Sequence, residues 1–126
     1  MPAWIKEDLA KVGNAEELRI ASRRPDGSLR PYVTIWAVRV DDDIYVRSAA
    51  GPGNPWFRRA LASGVGRIRA GGVERDVAFE DPAPETTDGI TAACRAKYDR
   101  YGPKIVGTVV SPEAVASTLR LVPRAG

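Results

Sequence analysis

The chain has 126 residues, 44% of them apolar and 28% charged, with a formal net charge of +3. That length suits a single domain, 1–126, with one core needing neither metal nor disulfide, and the composition excludes a disordered or fibrous chain. Histidine is absent, which removes every Ser-His-Asp triad, Cys-His pair and imidazole metal site at once.

In chain order, "MPAWIKEDLAKV" places Trp4 or Ile5, Leu9 and Val12 at helical spacing, predicting a short amphipathic helix that ends near Gly13-Asn14. Its charged start is unlike a secretory leader, and no apolar run approaches the roughly 20 residues of a membrane span, so a cytoplasmic protein is expected. From "EELRIAS" the period becomes two and a first strand is predicted, ended by the turn signal Pro25-Asp26-Gly27. A long second strand is expected from Leu29 to Val40, a hairpin at "DDD", and a third strand at "IYVRSA". The acidic hairpin lacks the spaced ligands of a calcium loop, so no metal site is expected. "GPGNPW" stops the sheet, with Asn54 capping a helix that has Pro55 at its first position and ends at Gly64.

"GRIRAGGVERDVAF" reads as two strands around a Gly71-Gly72 turn, and "DPAPETTDG" as a loop. "ITAACRAKYDRYG" reads as a helix with Ile90, Cys94, Tyr98 and Tyr101 on one stripe, where Cys94 is a small buried thiol. "KIVGTVV" fits helix and strand alike. "SPEAVA" is a capped helical turn, and "STLRLVP" is a closing strand with Leu119 and Leu121 inward. The sum is a mainly β protein, a barrel of six or seven antiparallel strands with peripheral helices, since closure removes exposed sheet edges.

Two stretches suggest an anion site. Between Arg19 and Arg75 there are eleven arginines against five acids, a field that suits nucleic acid or a cofactor phosphate. On the second strand Leu29, Pro31, Val33, Ile35 and Ala37 share one face, expected to be core. Arg30, Tyr32, Thr34 and Trp36 share the other. That second face is either covered by a helix or a second subunit, or is a groove with arginine as a phosphate fork. "VRSAAGPGNPWFRR" then sets Arg47 and Ser48 at a strand end, glycines that expose amides, and a helix N-terminus with Trp56, Arg58 and Arg59. A plain Asn-Pro cap with solvated arginines is the alternative.

"LRIASRRPDGSLRPYVTIWAVRVDDDIYVRSAAGPGNPWFRRALASG" with the strand pair to Phe79 resembles the core of the FMN-binding split barrels. These are the superfamily of pyridoxamine phosphate oxidases and deazaflavin-dependent nitroreductases, and the resemblance points to a small bacterial family of unknown function within it. It covers residues 16 to 80 and the final strand. It implies an FMN or deazaflavin cofactor held near a homodimer interface by Arg30, Tyr32, Thr34, Arg47, Ser48, Trp56, Arg58 and Arg59, a small-molecule substrate, and hydride transfer; it names no catalytic residue. The sequence departs from both models: the arginine-histidine motif of the oxidases is missing, and "RRPDGS" replaces the Gly-Arg-x-Ser-Gly of deazaflavin enzymes, which leaves a haem ligand open. Two rival readings share the same residues. One is a non-catalytic cofactor or ligand module; the other is a nucleic-acid surface on which Tyr32, Trp36 and Trp56 stack bases.

Overall fold

The computed structural model describes residues 4–48 and 53–124. Seven antiparallel strands make one sheet in the order β2-β1-β5-β6-β7-β4-β3, where β1 is Leu18–Ser22, β2 Val33–Ile35, β3 Ala37–Val40, β4 Asp43–Arg47, β5 Val65–Ala70, β6 Val73–Glu80 and β7 Thr118–Pro123. The two ends of that order are consecutive in the chain. β2 pairs with β1 (Ile35 opposite Leu18) and β3 pairs with β4 (Ala37 opposite Val46), so one bent strand joins both edges and nearly closes a barrel. The strand expected as an unbroken run from Leu29 to Val40 is thus divided at Trp36, and residues 29–32 lie outside it, apart from a bridge between Arg23 and Leu29. A strand that must change partners half-way bends where the ladder changes hands.

Alternation explains the interior. Leu18, Ile20, Ile44, Val46, Ile68, Val77, Leu119 and Leu121 are buried in one cluster, each such side chain contributing about 1.5–3 kcal/mol. Two helices join it: α1 (Lys6–Asn14) through Leu9 and Val12, and α2 (Pro55–Ser63) through Trp56, Phe57 and Ala60. Trp4, just before α1, packs there as well, and its Nε1 donates to Leu121 O at 3.0 Å.

A second cluster lies outside the barrel. Val38 and Tyr45 pack there against Ile90, Cys94 and Tyr98 of α3 (Thr87–Tyr98) and Val106 and Val109 of α4 (Pro103–Val110). β3 and β4 are therefore buried on both faces, which is why "WAVRV" lacks a clean polar face. "KIVGTVV" is helical, because its apolar side has this cluster to cover. The stripe on α3 holds through Tyr98. Tyr101 falls in the 3-10 turn that follows, Asp99–Tyr101, and is 40% exposed, since the tighter turn rotates it off the stripe. A further short helix, α5 (Pro112–Ala116), is capped by Ser111 Oγ, which accepts from Ala114 N at 3.2 Å.

Glycine is required in two places. At Gly66 a Cβ would lie 2.2 Å from Ala21 O and 2.7 Å from the Phe79 ring, so β1 and β5 approach only without one. Gly71 and Gly72, φ 57° and 84°, form the tight β5–β6 turn.

Candidate functional site

The hairpin leaving β1 and the start of α2 face each other across an open cleft. Asn54 caps α2, its Oδ1 accepting from Trp56 N at 3.4 Å, and Pro55 takes the first position. This aims the first turns of α2, with Arg58 and Arg59 exposed, at the hairpin. The cleft has a volume of about 800 Å³ and is lined by Arg23, Arg24, Arg30, Arg58 and Arg59, the rest being Pro, Gly, Ala, Ser and Val. No acid lines it.

The two hairpin arginines are held in place. Arg23 donates to Gly27 O at 2.7 Å and to Asp76 Oδ1 at 3.0 Å, and Arg24 donates to Leu29 O at 2.9 Å. Asp76 also accepts from Arg67 Nε at 2.8 Å, a bond that holds its carboxyl below the usual carboxylate range and keeps Arg23 anchored at neutral pH. The other three are free. Arg58 and Arg59 have no ion pair among the described residues, and Arg30 Nε is buried without a hydrogen-bond partner. A buried donor left unmet costs about 1–3 kcal/mol, so the cleft favours a ligand with acceptor oxygens.

A second hollow of about 280 Å³ lies nearby: Arg30 and Arg59 of the cleft share a small crevice with Val33 and Trp56, which line that hollow. That recess is lined by Thr34, Trp36, Arg47, Asn54, Trp56 and residues 105, 108 and 109 of α4. The eight residues singled out from sequence therefore divide. Arg30, Arg58 and Arg59 meet in the cleft; Thr34, Arg47 and Trp56 meet in the recess. Tyr32 lies apart on the outer face of the sheet, with the Arg69 guanidinium 5.8 Å from its ring centroid. Ser48 is fully buried, its amide donating to Ser117 Oγ at 3.2 Å. Expected amide-exposing glycine Gly51 lies outside the described residues. Arg47 is interior rather than at the surface, and Trp36 is covered by a helix: its ring stacks on Tyr98 at 3.9 Å, nearly parallel. Of the three rings expected to stack bases, Trp36 and Trp56 line the recess and Tyr32 does not join them.

Sequence reasoning missed Arg23 and Arg24. They were absorbed into a turn signal, although two arginines flanking a hairpin that returns into an arginine-bearing strand mark the same cleft. Ile105 and Thr108 carried no signal, because their place depends on how α4 docks.

The family described as an uncharacterized protein conserved in bacteria (DUF2255) matches residues 8–121. The chain belongs to that family. No curated protein matches it. Solved structures similar to this DUF2255 chain include an F420 reductase (16% identity, 92% of each chain covered, TM-score 0.61). The heme storage protein HutZ from Vibrio cholerae is 14% identical over 95% of this chain and 89% of that one, with TM-score 0.64. An FAD-binding protein from Mesorhizobium loti is 15% identical over 98% and 92%, with TM-score 0.54. These likenesses establish the split-barrel fold. Their names carry three different cofactors, so the fold alone does not choose one. No helix among the described residues is long and apolar enough to cross a membrane.

Proposed function

We propose that this chain binds a flavin, FMN or a deazaflavin, through its phosphate-bearing tail in the arginine cleft and acts as an oxidoreductase on a small organic substrate received by the adjoining recess. The observation that carries this reading is the five-arginine lining without an acid, together with the unmet Nε of Arg30. Arg30, Arg58 and Arg59 supply charge-assisted donors to phosphate oxygens, while Arg23, tied to Asp76, and Arg24, tied to Leu29 O, form the opposite wall. A bound flavin would supply two-electron chemistry; the chain supplies binding, orientation and field. Two copies of the chain are expected, with the cleft near their contact, which sedimentation equilibrium measures.

The test is titration of the purified protein with FMN, FAD and F420, followed by fluorescence. Saturable binding of one of them in the micromolar range or tighter is expected, weakening as salt is raised. If all three fail to saturate, the reading is lost. A second reading, a carrier that binds without turnover, is favoured by the lining itself, whose charged side chains among the described residues are all arginines, with no carboxylate or thiol to act as an acid or base. Stoichiometric binding with no turnover by any common reductant would decide for it.

A further inference from the structure

The recess contains a cation without a counter-charge. Arg47 lines it yet is only 4% exposed. Its Nε donates to Thr118 Oγ1 at 2.9 Å, Nη1 to Val109 O at 2.9 Å and Nη2 to Thr87 O at 3.4 Å. All three acceptors are neutral, and Arg47 forms no ion pair with a carboxylate among the described residues. Cys94, its sulfur neighbour, supplies no negative charge at neutral pH, because burial pushes the thiol up. The remaining polar groups of the recess, Thr34, Asn54 and Thr108, are uncharged. A guanidinium has five N–H donors, more than these three bonds and a hydrogen bond to the Cys94 sulfur occupy. Around it the walls are apolar: Val33, Ile35, Trp36, Trp56, Ile105 and Val109.

We infer that the recess is a binding site for a small apolar carboxylate, with Arg47 as its charge partner. A hollow of about 280 Å³ fits a ring-sized apolar body. One guanidinium in a low-dielectric wall matches one negative charge, and a carboxylate meets its fork with two oxygens. A phosphate is better served next door, where several arginines converge. As the substrate class of the proposed oxidoreductase, the assignment rests on the cofactor reading. Binding itself is measured apart from it.

Benzoate and benzamide have the same shape and differ in charge, and Trp36 and Trp56 report on the recess by their fluorescence. Benzoate is expected to bind the full-length protein at least tenfold more tightly than benzamide, a tenfold ratio being about 1.4 kcal/mol. Arg47→Met should abolish the preference, and Arg47→Lys should keep part of it. Thr108→Trp, at an exposed position of α4, fills the recess without touching Arg47. It should abolish benzoate binding while leaving the urea midpoint near wild type, so the question stays decidable if Arg47→Met does not fold. Equal affinity for the two probes, binding of neither, or full benzoate binding by a folded Thr108→Trp protein overturns the inference. FMN titrations run in parallel separate the two proposals. FMN binding without carboxylate preference sinks this one alone; carboxylate preference without flavin binding sinks the cofactor reading and leaves the site.

Discussion

On the β1 side of the barrel, Arg30, Arg58 and Arg59 line an open cleft with no partner for their charge among the described residues. On the β3–β4 side, Arg47 lies under α3 and α4 and Lys97 reaches from α3 to the sheet, both with backbone carbonyls among their acceptors, Lys97 Nζ donating to Ala37 O at 2.7 Å. The same kind of side chain does different work in the two places. Arg58 and Arg59, exposed in the cleft, contribute little to folding, and with Arg30 they keep their donors for a ligand. Cations on this side tie α3 and α4 to the sheet, at a desolvation cost met chiefly by hydrogen bonds, with the Glu16 carboxylate also favouring the charged form of Lys97. Stability should therefore respond to changes on the sealed side and ligand affinity to changes in the cleft.

The largest expected effect tests the sealed side. Tyr98 is fully buried and stacks on Trp36; its hydroxyl lies 3.0 Å from both Glu16 O and Ala37 O, with one hydrogen to donate between them, and accepts from Ala37 N at 3.3 Å. Tyr98→Ala should lower unfolding free energy by about 3–5 kcal/mol in urea titrations; Tyr98→Phe, which keeps the ring, by about 1–2 kcal/mol. FMN affinity should hold in Tyr98→Phe, since distant sites are nearly additive. A tenfold change there would break the separation of the two sides.

Next comes the cleft. Arg30→Ala and Arg59→Ala should each weaken FMN binding at least tenfold, the worth of a charge-assisted contact to phosphate. Their unfolding free energies from urea titration should stay within about 0.5 kcal/mol of wild type. For Arg30 the expectation is sharper, because removing a buried, unmet Nε relieves a cost. A large loss of stability in either variant would make these arginines structural and erase the contrast.

Much of the barrel was legible because strand period, turn chemistry and caps are local. Leu119 and Leu121 alternate, Gly71-Gly72 turns, and Asn54-Pro55 starts a helix whatever surrounds them. The break at Trp36 was not legible. It arises from β1 and β4 claiming opposite ends of one strand, a pairing between segments far apart in the chain. The site was half legible for the same reason. Arg58 and Arg59 follow a cap and are placed by it, whereas Arg47 looked like a surface residue at a strand end until α3 and α4 covered it. Alternation says which face a side chain takes; it does not say what will later lie on that face.

A smaller effect separates Arg47 from its exposed counterparts. Arg47→Met removes donors from Thr87 O, Val109 O and Thr118 Oγ1 and also removes a buried charge, two changes of opposite sign. A net loss of about 1–2 kcal/mol is expected in urea, against no measurable change for Arg58→Met. Equal values would mean that burial does not distinguish the two kinds of arginine.

The smallest effect is a pH dependence. Burial is the main reason the Lys97 ammonium is pushed down from 10.5 to about 8. Below pH 8 the lysine is charged in both folded and unfolded chains, and the burial penalty is fully present. Between pH 8 and 10.5 the folded protein has released this proton and the unfolded chain still holds it, so this group makes stability rise with pH. Cys94 and Tyr98 are both pushed up by burial and act in the opposite sense at the alkaline end, since the unfolded chain ionises first. Wild-type stability alone therefore hides the trend, and the useful quantity is its difference from Lys97→Met. Measured by urea unfolding from pH 7 to pH 10.5, wild type should gain on the variant by about 1 kcal/mol, a value discounted for the lysine's partial exposure. A difference that stays flat across that range would mean Lys97 titrates as a solvated lysine does, and the side described as sealed would be open to water.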